Sequence, residues 1–397
     1  MKKFKLVKKH LLILCCLLCV VSMVSCESLP AWFPIDLLQK DTATTTPETT
    51  TVPTVESEAP EDSAPKGDYE MKTYKLTEHL DSLKVIGRSQ STDAGITCDW
   101  TASGISFVLD CKGDVSIKVL ADYVTYFTVI LDGVRQPERV KASAGISTVT
   151  IAQDLAEGVH SFSFLKQTEN QNSMCFLKTI EACGTFGERP ADKELYIEFY
   201  GDSITCGYGN LDGSNDASDP GSAHWQDGTQ TYAFRVADAL NADWSMISVS
   251  GIPFSKGYTQ FTMGDIMEKI SWRRGDTAYS FERKPDLVVI NLGTNDAQCG
   301  ADLNDVKAKA KSMIQTLKGH YGTDQKILFV TGMMNGTCRT ELLQVISECG
   351  GEGSFIYEVQ TFESNRKGGN GHPNMTAHID VAEEILSFVR QEIFTEV

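Results

Sequence analysis

The sequence predicts two domains in series, an all-β sandwich of jelly-roll kind over residues 71–190 and a three-layer α/β domain over residues 191–397. Three observations lead there. Apolar residues between Lys72 and Gly184 recur with period two, the spacing of half-buried strands. After Pro190 the pattern changes to continuous apolar runs alternating with helical spacing, which is the signature of a parallel sheet covered on both faces. The first 70 residues show neither pattern.

Residues 1–26 read as a targeting segment. Five lysines (Lys2, Lys3, Lys5, Lys8, Lys9) precede the apolar run Leu11 to Met23, which is too short to span a bilayer and has the form of a secretory signal. Val24-Ser25-Cys26 then resembles the lipobox of bacterial lipoproteins. The resemblance implies lipidation of Cys26 and an extracytoplasmic protein anchored to a bacterial cell membrane, firmly so only with more than one acyl chain. Residues 27–70 are rich in Thr, Pro and Glu and are expected to form a disordered linker.

In the sandwich, Ile105, Phe107 and Leu109 alternate with polar or outward residues, as do Phe127, Val129 and Leu131 before an Asp132-Gly133 turn. His160, Phe162 and Phe164 alternate with serines. Short strands with Gly, Asp and Ser turns are expected, uninterrupted by helix. In the second domain, strands are expected at Leu195–Tyr200, Met246–Val249, Leu287–Leu292, Ile327–Val330 and Phe355–Val359. Helices are expected at Tyr232–Leu240, along the Val306, Ala310, Met313, Ile314 and Leu317 face, at Glu341–Ser347 and at Met375–Ile393. Ligands of such sheets bind beyond the carboxyl ends of the strands, here the loops after Tyr200, Val249 and Leu292.

The formal charge is −17, and without the five leading lysines 31 basic side chains face 53 acidic ones. That excess repels nucleic acid and anionic membrane surface, so a neutral substrate is expected. Of twelve cysteines, Cys15, Cys16 and Cys19 lie in the leading segment and Cys26 is the anchor candidate. The other eight have no zinc-site spacing, and Cys206 is expected to be a buried free thiol. Asp212 to Asp216 lacks the remaining spacing of a calcium loop, and neither metal nor cofactor is expected.

Each candidate loop carries a short distinctive sequence. Gly201-Asp202-Ser203-Ile204-Thr205 places a serine on a strand-to-helix turn, where backbone N–H groups can face an oxyanion. Ser250-Gly251 lets a substrate approach the backbone. In Gly293-Thr294-Asn295-Asp296, Asn295 can donate to the same oxyanion and Asp296 can brace the loops, with Asp202 as a second supporting carboxylate. Among the seven histidines, His372 in Gly371-His372-Pro373-Asn374 precedes the last helix and is the base candidate. His224 is a weaker one, and His378 is read as structural.

In this order and spacing the four blocks resemble the SGNH (GDSL) hydrolase superfamily, across essentially all of residues 192–397. The resemblance implies a flavodoxin-like sheet with Ser203 as nucleophile and His372 as base. It implies an oxyanion hole made by Ser203 N–H, Gly251 N–H and the Asn295 side chain. A preceding sandwich is similar to carbohydrate esterase family 2, as are Gly87-Arg88, Lys166-Gln167-Thr168-Glu169, Gly201 through Gly209, and His372-Pro373 followed by His378. That family deacetylates plant polysaccharides, so an acetylated oligo- or polysaccharide such as xylan or glucomannan is the implied partner. Many SGNH enzymes carry an aspartate three residues before the base, where this chain has Gly369. Family 2 esterases work with such a Ser–His dyad; a main-chain carbonyl can orient the imidazole, and the sequence does not identify the orienting group. Glu363 is the one acidic side chain between Val359 and His372. Tyr208, Trp225, Tyr258 and Trp272 are candidates to stack on sugar rings. Two other readings stand beside this one: an esterase of lipids, against which the polar loop from Gly209 to Thr229 argues, and a non-catalytic carbohydrate-binding lipoprotein.

Overall fold

The computed structural model describes residues 69–334, 338–360 and 367–395. The leading segment, Cys26, the linker and Glu363 lie outside the described residues.

Ten antiparallel strands make the first domain. They are β1 (Met71–Lys75), β2 (Leu83–Ile86), β3 (Ser91–Thr92), β4 (Gly95–Cys98), β5 (Gly104–Ala121), β6 (Thr125–Leu131), β7 (Val134–Arg135), β8 (Val140–Ala142), β9 (Gly145–Lys166) and β10 (Cys175–Phe186). The period-two residues do face inward: Ile105, Phe107, Leu109, Phe127, Val129, Phe162 and Phe164 are all buried in one core. The expectation of short strands was wrong for β5 and β9, which have 18 and 22 residues. Register shifts between Cys111 and Ser116 on β5, and between Ala182 and Cys183 on β10, bend these strands and let them serve both layers of the sandwich. Two single 3₁₀ turns, Leu76–Glu78 and Leu80–Ser82, also interrupt the strands.

The second domain has five parallel strands in the order β12-β11-β13-β14-β15. These are β11 (Leu195–Gly201), β12 (Ala242–Ser248), β13 (Leu287–Asn291), β14 (Ile327–Thr331) and β15 (Ser354–Glu358). The helices are α1 (Ser203–Cys206), α2 (Tyr232–Ala239), α3 (Met263–Ile266), α4 (Thr294–Gln298), α5 (Leu303–Tyr321), α6 (Arg339–Val345) and α7 (Met375–Phe388). Side chains alternate across the sheet, so Ile197, Phe199 and Val289 pack with α2 and α7, while Tyr200, Val288 and Ile290 pack with α5 and α6. The strand expected at Met246 begins earlier, at Ala242. Asp243 obscured it, a strand carboxylate paired with Lys84 Nζ and Arg283 at 2.6 Å each. The strand order reverses direction at β11, and a crevice opens there between the ends of β11 and β13.

The domains share their cores. Ile86, Ala102 and Leu165 of the sandwich join the α2–α7 cluster, and Trp100 joins the α5–α6 cluster. Polar contacts lock the seam: Trp244 Nε1 donates to Ala102 O at 2.9 Å, and Arg274 holds Asp99 at 2.5 and 2.7 Å. At its centre, Arg88 and Glu198 are fully buried 3.5 Å apart. Arg88 also donates to Tyr200 Oη at 2.6 Å and to Met267 O at 2.5 Å. Glu198 accepts from the hydroxyls of Tyr196, Tyr200 and Tyr321 at 2.9–3.0 Å. Removing one partner of such a pair strands the other charge without water. Arg88→Met is therefore expected to cost about 3–5 kcal/mol in urea unfolding. A loss under 1 kcal/mol would show that the pair does not hold the seam.

Candidate active site

Ser203 follows β11 as the first residue of α1 and is 7% exposed. Asp202 caps that helix, its Oδ1 accepting Ile204 N–H at 3.0 Å. Gly201 is required beside it, because a Cβ there would lie 2.0 Å from Thr205 Oγ1. The helix is short and closes at once on Gly207 (φ +79°). The serine thus stands at the carboxyl edge of the sheet, in the crevice.

His372 reaches it from the loop before α7. Its Nε2 lies 2.8 Å from Ser203 Oγ, and its Nδ1 lies 3.0 Å from Gly369 O. A carbonyl only accepts, so Nδ1 carries the proton and Nε2 is left to take one from the serine. The position where a carboxylate was missed therefore supplies the orienting group from its backbone. Glycine is forced there: a Cβ on Gly369 would sit 2.2 Å from Pro220 Cβ and 3.2 Å from Gly209 Cα. Gly369 N–H also donates to Gly209 O at 3.0 Å, and Met375 N–H to Asn210 O at 3.0 Å. The polar loop after Gly209 thereby holds the histidine loop in place. Tyr208 packs on the imidazole with ring centres 4.5 Å apart, and Asn370 Nδ2 donates to Tyr208 Oη at 3.0 Å. Burial lowers the His372 pKa to about 4, with the Gly369 carbonyl pulling weakly the other way.

The other two loops close around this pair. Gly251 has φ +81° and lies against Tyr258. Asp296 accepts from the N–H groups of Phe254, Ser255 and Lys256 in that loop at 2.7–3.1 Å. Asn295 Nδ2 donates to Ile252 O at 3.0 Å and to Asp202 Oδ2 at 3.3 Å. Burial pushes the Asp202 carboxyl up to about 7, and the Asp296 charge adds to it.

Together these residues line a cleft of about 580 Å³ formed by Ser203, Tyr208, Gly251, Tyr258, Asn295 and His372, with Ser250, Thr294, Gln298, Met334 and Asn370. Two of the four aromatic candidates are thus in the cleft. Trp225 and Trp272 do not line it. Trp225 stacks edge-on against His224, and Trp272 packs on Phe261 against the α5–α6 core. His224, the weaker base candidate, is outside the cleft as well. His378 accepts Tyr232 N–H at 3.1 Å, which makes it a cap for α2.

Two family models match the sequence: the GDSL-like Lipase/Acylhydrolase family over residues 199–350, and the Carbohydrate esterase 2 N-terminal domain over residues 85–186. The chain is similar to the SGNH (GDSL) hydrolases in its second domain and to carbohydrate esterase family 2 in its first. The cellulase/esterase CelE of Acetivibrio thermocellus is 29% identical over 322 residues, 77% of this chain. The chain spans 39% of that relative's length. An acetylxylan esterase / glucomannan deacetylase of Cellvibrio japonicus is 25% identical over 344 residues, covering 81% of this chain and 92% of the relative. Among solved structures, a family two carbohydrate esterase from Clostridium thermocellum in complex with cellohexaose aligns with TM-score 0.70 and 27% identity, over 79% of this chain and 99% of that one. An acetyl xylan esterase from Butyrivibrio proteoclasticus, 17% identical, shares the fold with TM-score 0.73 over 82% of this chain and all of its own.

What sequence reasoning left unassigned in this site is mostly backbone. The Gly369 carbonyl has no side-chain signature; the run Gly368-Gly369 marks only that chains approach closely there. Gln298 stands one helical turn after Asn295, a spacing that would have placed it on the same face.

Two outcomes follow from the dyad. The base must be neutral to accept a proton, and protonation removes it as pH falls through its pKa. kcat/KM on an aryl acetate should therefore hold to about pH 5 and halve near the value of about 4 that burial sets. An acid limb near the ordinary histidine value of about 6.5, with folding intact by circular dichroism, would contradict this. The second outcome concerns the missing carboxylate. Gly369→Asp should not build a triad but lower kcat by about tenfold or more, because the new Cβ collides with Pro220 and displaces His372. A gain in kcat would show that the loop can accommodate a carboxylate.

Proposed function

We propose that this hydrolase is a carbohydrate O-acetyl esterase acting on an acetylated plant polysaccharide such as xylan or glucomannan. The observation that carries the reading is the assembled pair, Ser203 Oγ at 2.8 Å from a neutral His372 held by a carbonyl, in a cleft beside Gly251 and Asn295. The names of the relatives support the substrate class: an acetylxylan esterase / glucomannan deacetylase, and a structure holding a cello-oligosaccharide.

In the proposed reaction Ser203 Oγ attacks the acetyl carbonyl carbon while its proton passes to His372 Nε2. Ser203 N–H, Gly251 N–H and Asn295 Nδ2 receive the negative oxygen. Asn295 would exchange its longer contact, the one to Asp202, for this oxygen. The tetrahedral intermediate then expels the sugar oxygen, which takes the proton from His372. Water, deprotonated by His372, cleaves the acetyl-serine and returns acetate.

The structure argues against the lipid alternative on one point. The loop from Gly209 is polar and packs against the histidine loop through Gly369 and Met375, where a lipase would need an apolar cover free to move. The assembled dyad favours catalysis over the non-catalytic alternative, which would not require it. We also propose lipidation at Cys26 and an extracytoplasmic, membrane-anchored position, on the strength of the leading segment. Together with the linker after Cys26, this would present the cleft to polymer outside the cell.

Acetate release from acetylated xylan, glucomannan and peptidoglycan tests the substrate class directly. On small esters, kcat/KM for an aryl acetate should exceed that for the octanoate by at least tenfold, and Ser203→Ala should abolish both while the variant stays folded. Preference for octanoate would favour the lipid reading, and an active Ser203→Ala would remove Ser203 as nucleophile.

A further inference from the structure

The sandwich loop between β9 and β10 reaches into the active-site crevice and grips one residue of it. Glu169, buried at 2% exposure, takes Ser250 N–H on Oε2 at 2.9 Å and Ser250 Oγ on Oε1 at 2.7 Å. Gln171, two residues on, donates its side-chain amide to the Ser250 carbonyl. All three polar groups of Ser250 are thus held by the other domain. Glu169 is itself fixed, because Gln226 donates to its Oε1 at 3.0 Å and accepts its backbone N–H at 3.3 Å.

Ser250 matters through its neighbour. The Ser250 carbonyl and the Gly251 N–H belong to one planar trans peptide unit, in which they point in opposite directions. Whatever fixes the carbonyl fixes the N–H. Gly251 has φ +81° and no side chain, so this peptide lies at the centre of a turn where the backbone is permissive and its orientation can differ. Asp296 holds the loop only from Phe254 onward. Upstream, Ile252 N–H closes a turn on Val249 O at 3.2 Å and Tyr258 N–H donates to Gly251 O at 3.0 Å, while the polar groups of Ser250 itself are held by Glu169 and Gln171.

We propose that Glu169 and Gln171 of the sandwich are positioning residues for catalysis, which orient the Ser250–Gly251 peptide so that Gly251 N–H faces the developing oxyanion. The inference rests on the esterase reading above, in which Gly251 N–H is an oxyanion donor. It gives the sandwich a part in the chemical step, separate from any part in holding polysaccharide.

A donor that is present but misaimed is felt in the transition state and hardly at all in substrate binding. Gln171 is exposed, so its removal leaves the core intact, and Gln171→Ala is expected to lower kcat on aryl acetate by about tenfold with KM changed less than threefold. Glu169→Ala is expected to lower kcat by about 10²-fold, approaching the loss of a whole oxyanion donor. Glu169→Gln keeps one acceptor oxygen for Ser250 and should recover part of that loss. Thermal melts accompany each variant, and if Glu169→Ala does not fold, Gln171→Ala decides alone. Should Gln171→Ala and the folded Glu169 variants keep kcat within twofold, or raise KM alone, while Ser203→Ala is inactive, the positioning role is overturned and the esterase reading stands. Activity surviving in Ser203→Ala would instead overturn the reading on which it rests.

Discussion

Arg88 is a cation with no access to water, and the architecture is arranged around that fact. It comes from the sandwich, yet its charge is answered by Glu198 in the middle of β11, two residues before Tyr200 and five before Ser203. A carboxylate in a central strand, buried on both faces, is untenable unless paired and hydrogen-bonded, and here three tyrosine hydroxyls complete its shell. Neither domain can keep its half of this pair alone. The pair also draws apolar surface after it, since Ile86, Ala102, Leu165 and Trp100 fill the cores on the two sides of the sheet. The strand that delivers the serine is therefore anchored from the sandwich side, and its end is stationary relative to the sandwich loops.

A stationary strand end is what a Ser–His pair needs when its third member is a carbonyl. The carbonyl of Gly369 selects the tautomer and the ring orientation, as a carboxylate would. It cannot neutralise the imidazolium that would form in the proposed reaction, when Ser203 gives up its proton. The low pKa of His372, set by burial, describes the same deficit in the resting state. Precision must then come from packing: Tyr208 against the ring, Asn370 against Tyr208, and the backbones of Gly209 and Gly369 in contact.

How much of this was legible in the sequence depended on whether a side chain or a backbone carried the information. The parallel sheet could be read because five apolar runs and an amphipathic helix left their periods in the sequence, and α5 buries the very residues that the helical spacing selects. Ser203, Gly251, Asn295 and His372 could be placed near one another because each follows a strand or precedes the last helix, and the crevice gathers such loops. Asp243 hid the start of β12, since pairing that neutralises a charge is made by residues distant in sequence, Lys84 and Arg283. The length of β5 and β9 was hidden for a related reason: bulges break the two-residue period at Cys111 to Ser116, so one bent strand reads as two short ones. Trp225 and Trp272 show the converse limit. A large aromatic in a loop has the same appearance in sequence whether or not it lines the cleft, and these two lie outside it, each against a neighbouring ring.

The two domains then divide one electrostatic task. With no carboxylate behind His372 among the described residues, the imidazolium of the proposed reaction would find its compensating charge in front, on the tetrahedral oxygen, and the buried setting would strengthen that attraction. This arrangement works only while the oxygen is held still, because an oxyanion free to move loses both its donors and its partner cation. Two of the three proposed donors sit on firm supports: Ser203 N–H opens a capped helix, and Asn295 is tied to Ile252. The third, Gly251 N–H, sits on the most permissive backbone in the crevice, and its peptide is held from the sandwich. Dispensing with the triad carboxylate thus shifts weight onto the oxyanion hole, and a hole with one glycine donor shifts it onto Glu169 and Gln171. On this view the sandwich stands where a third catalytic partner would otherwise be needed.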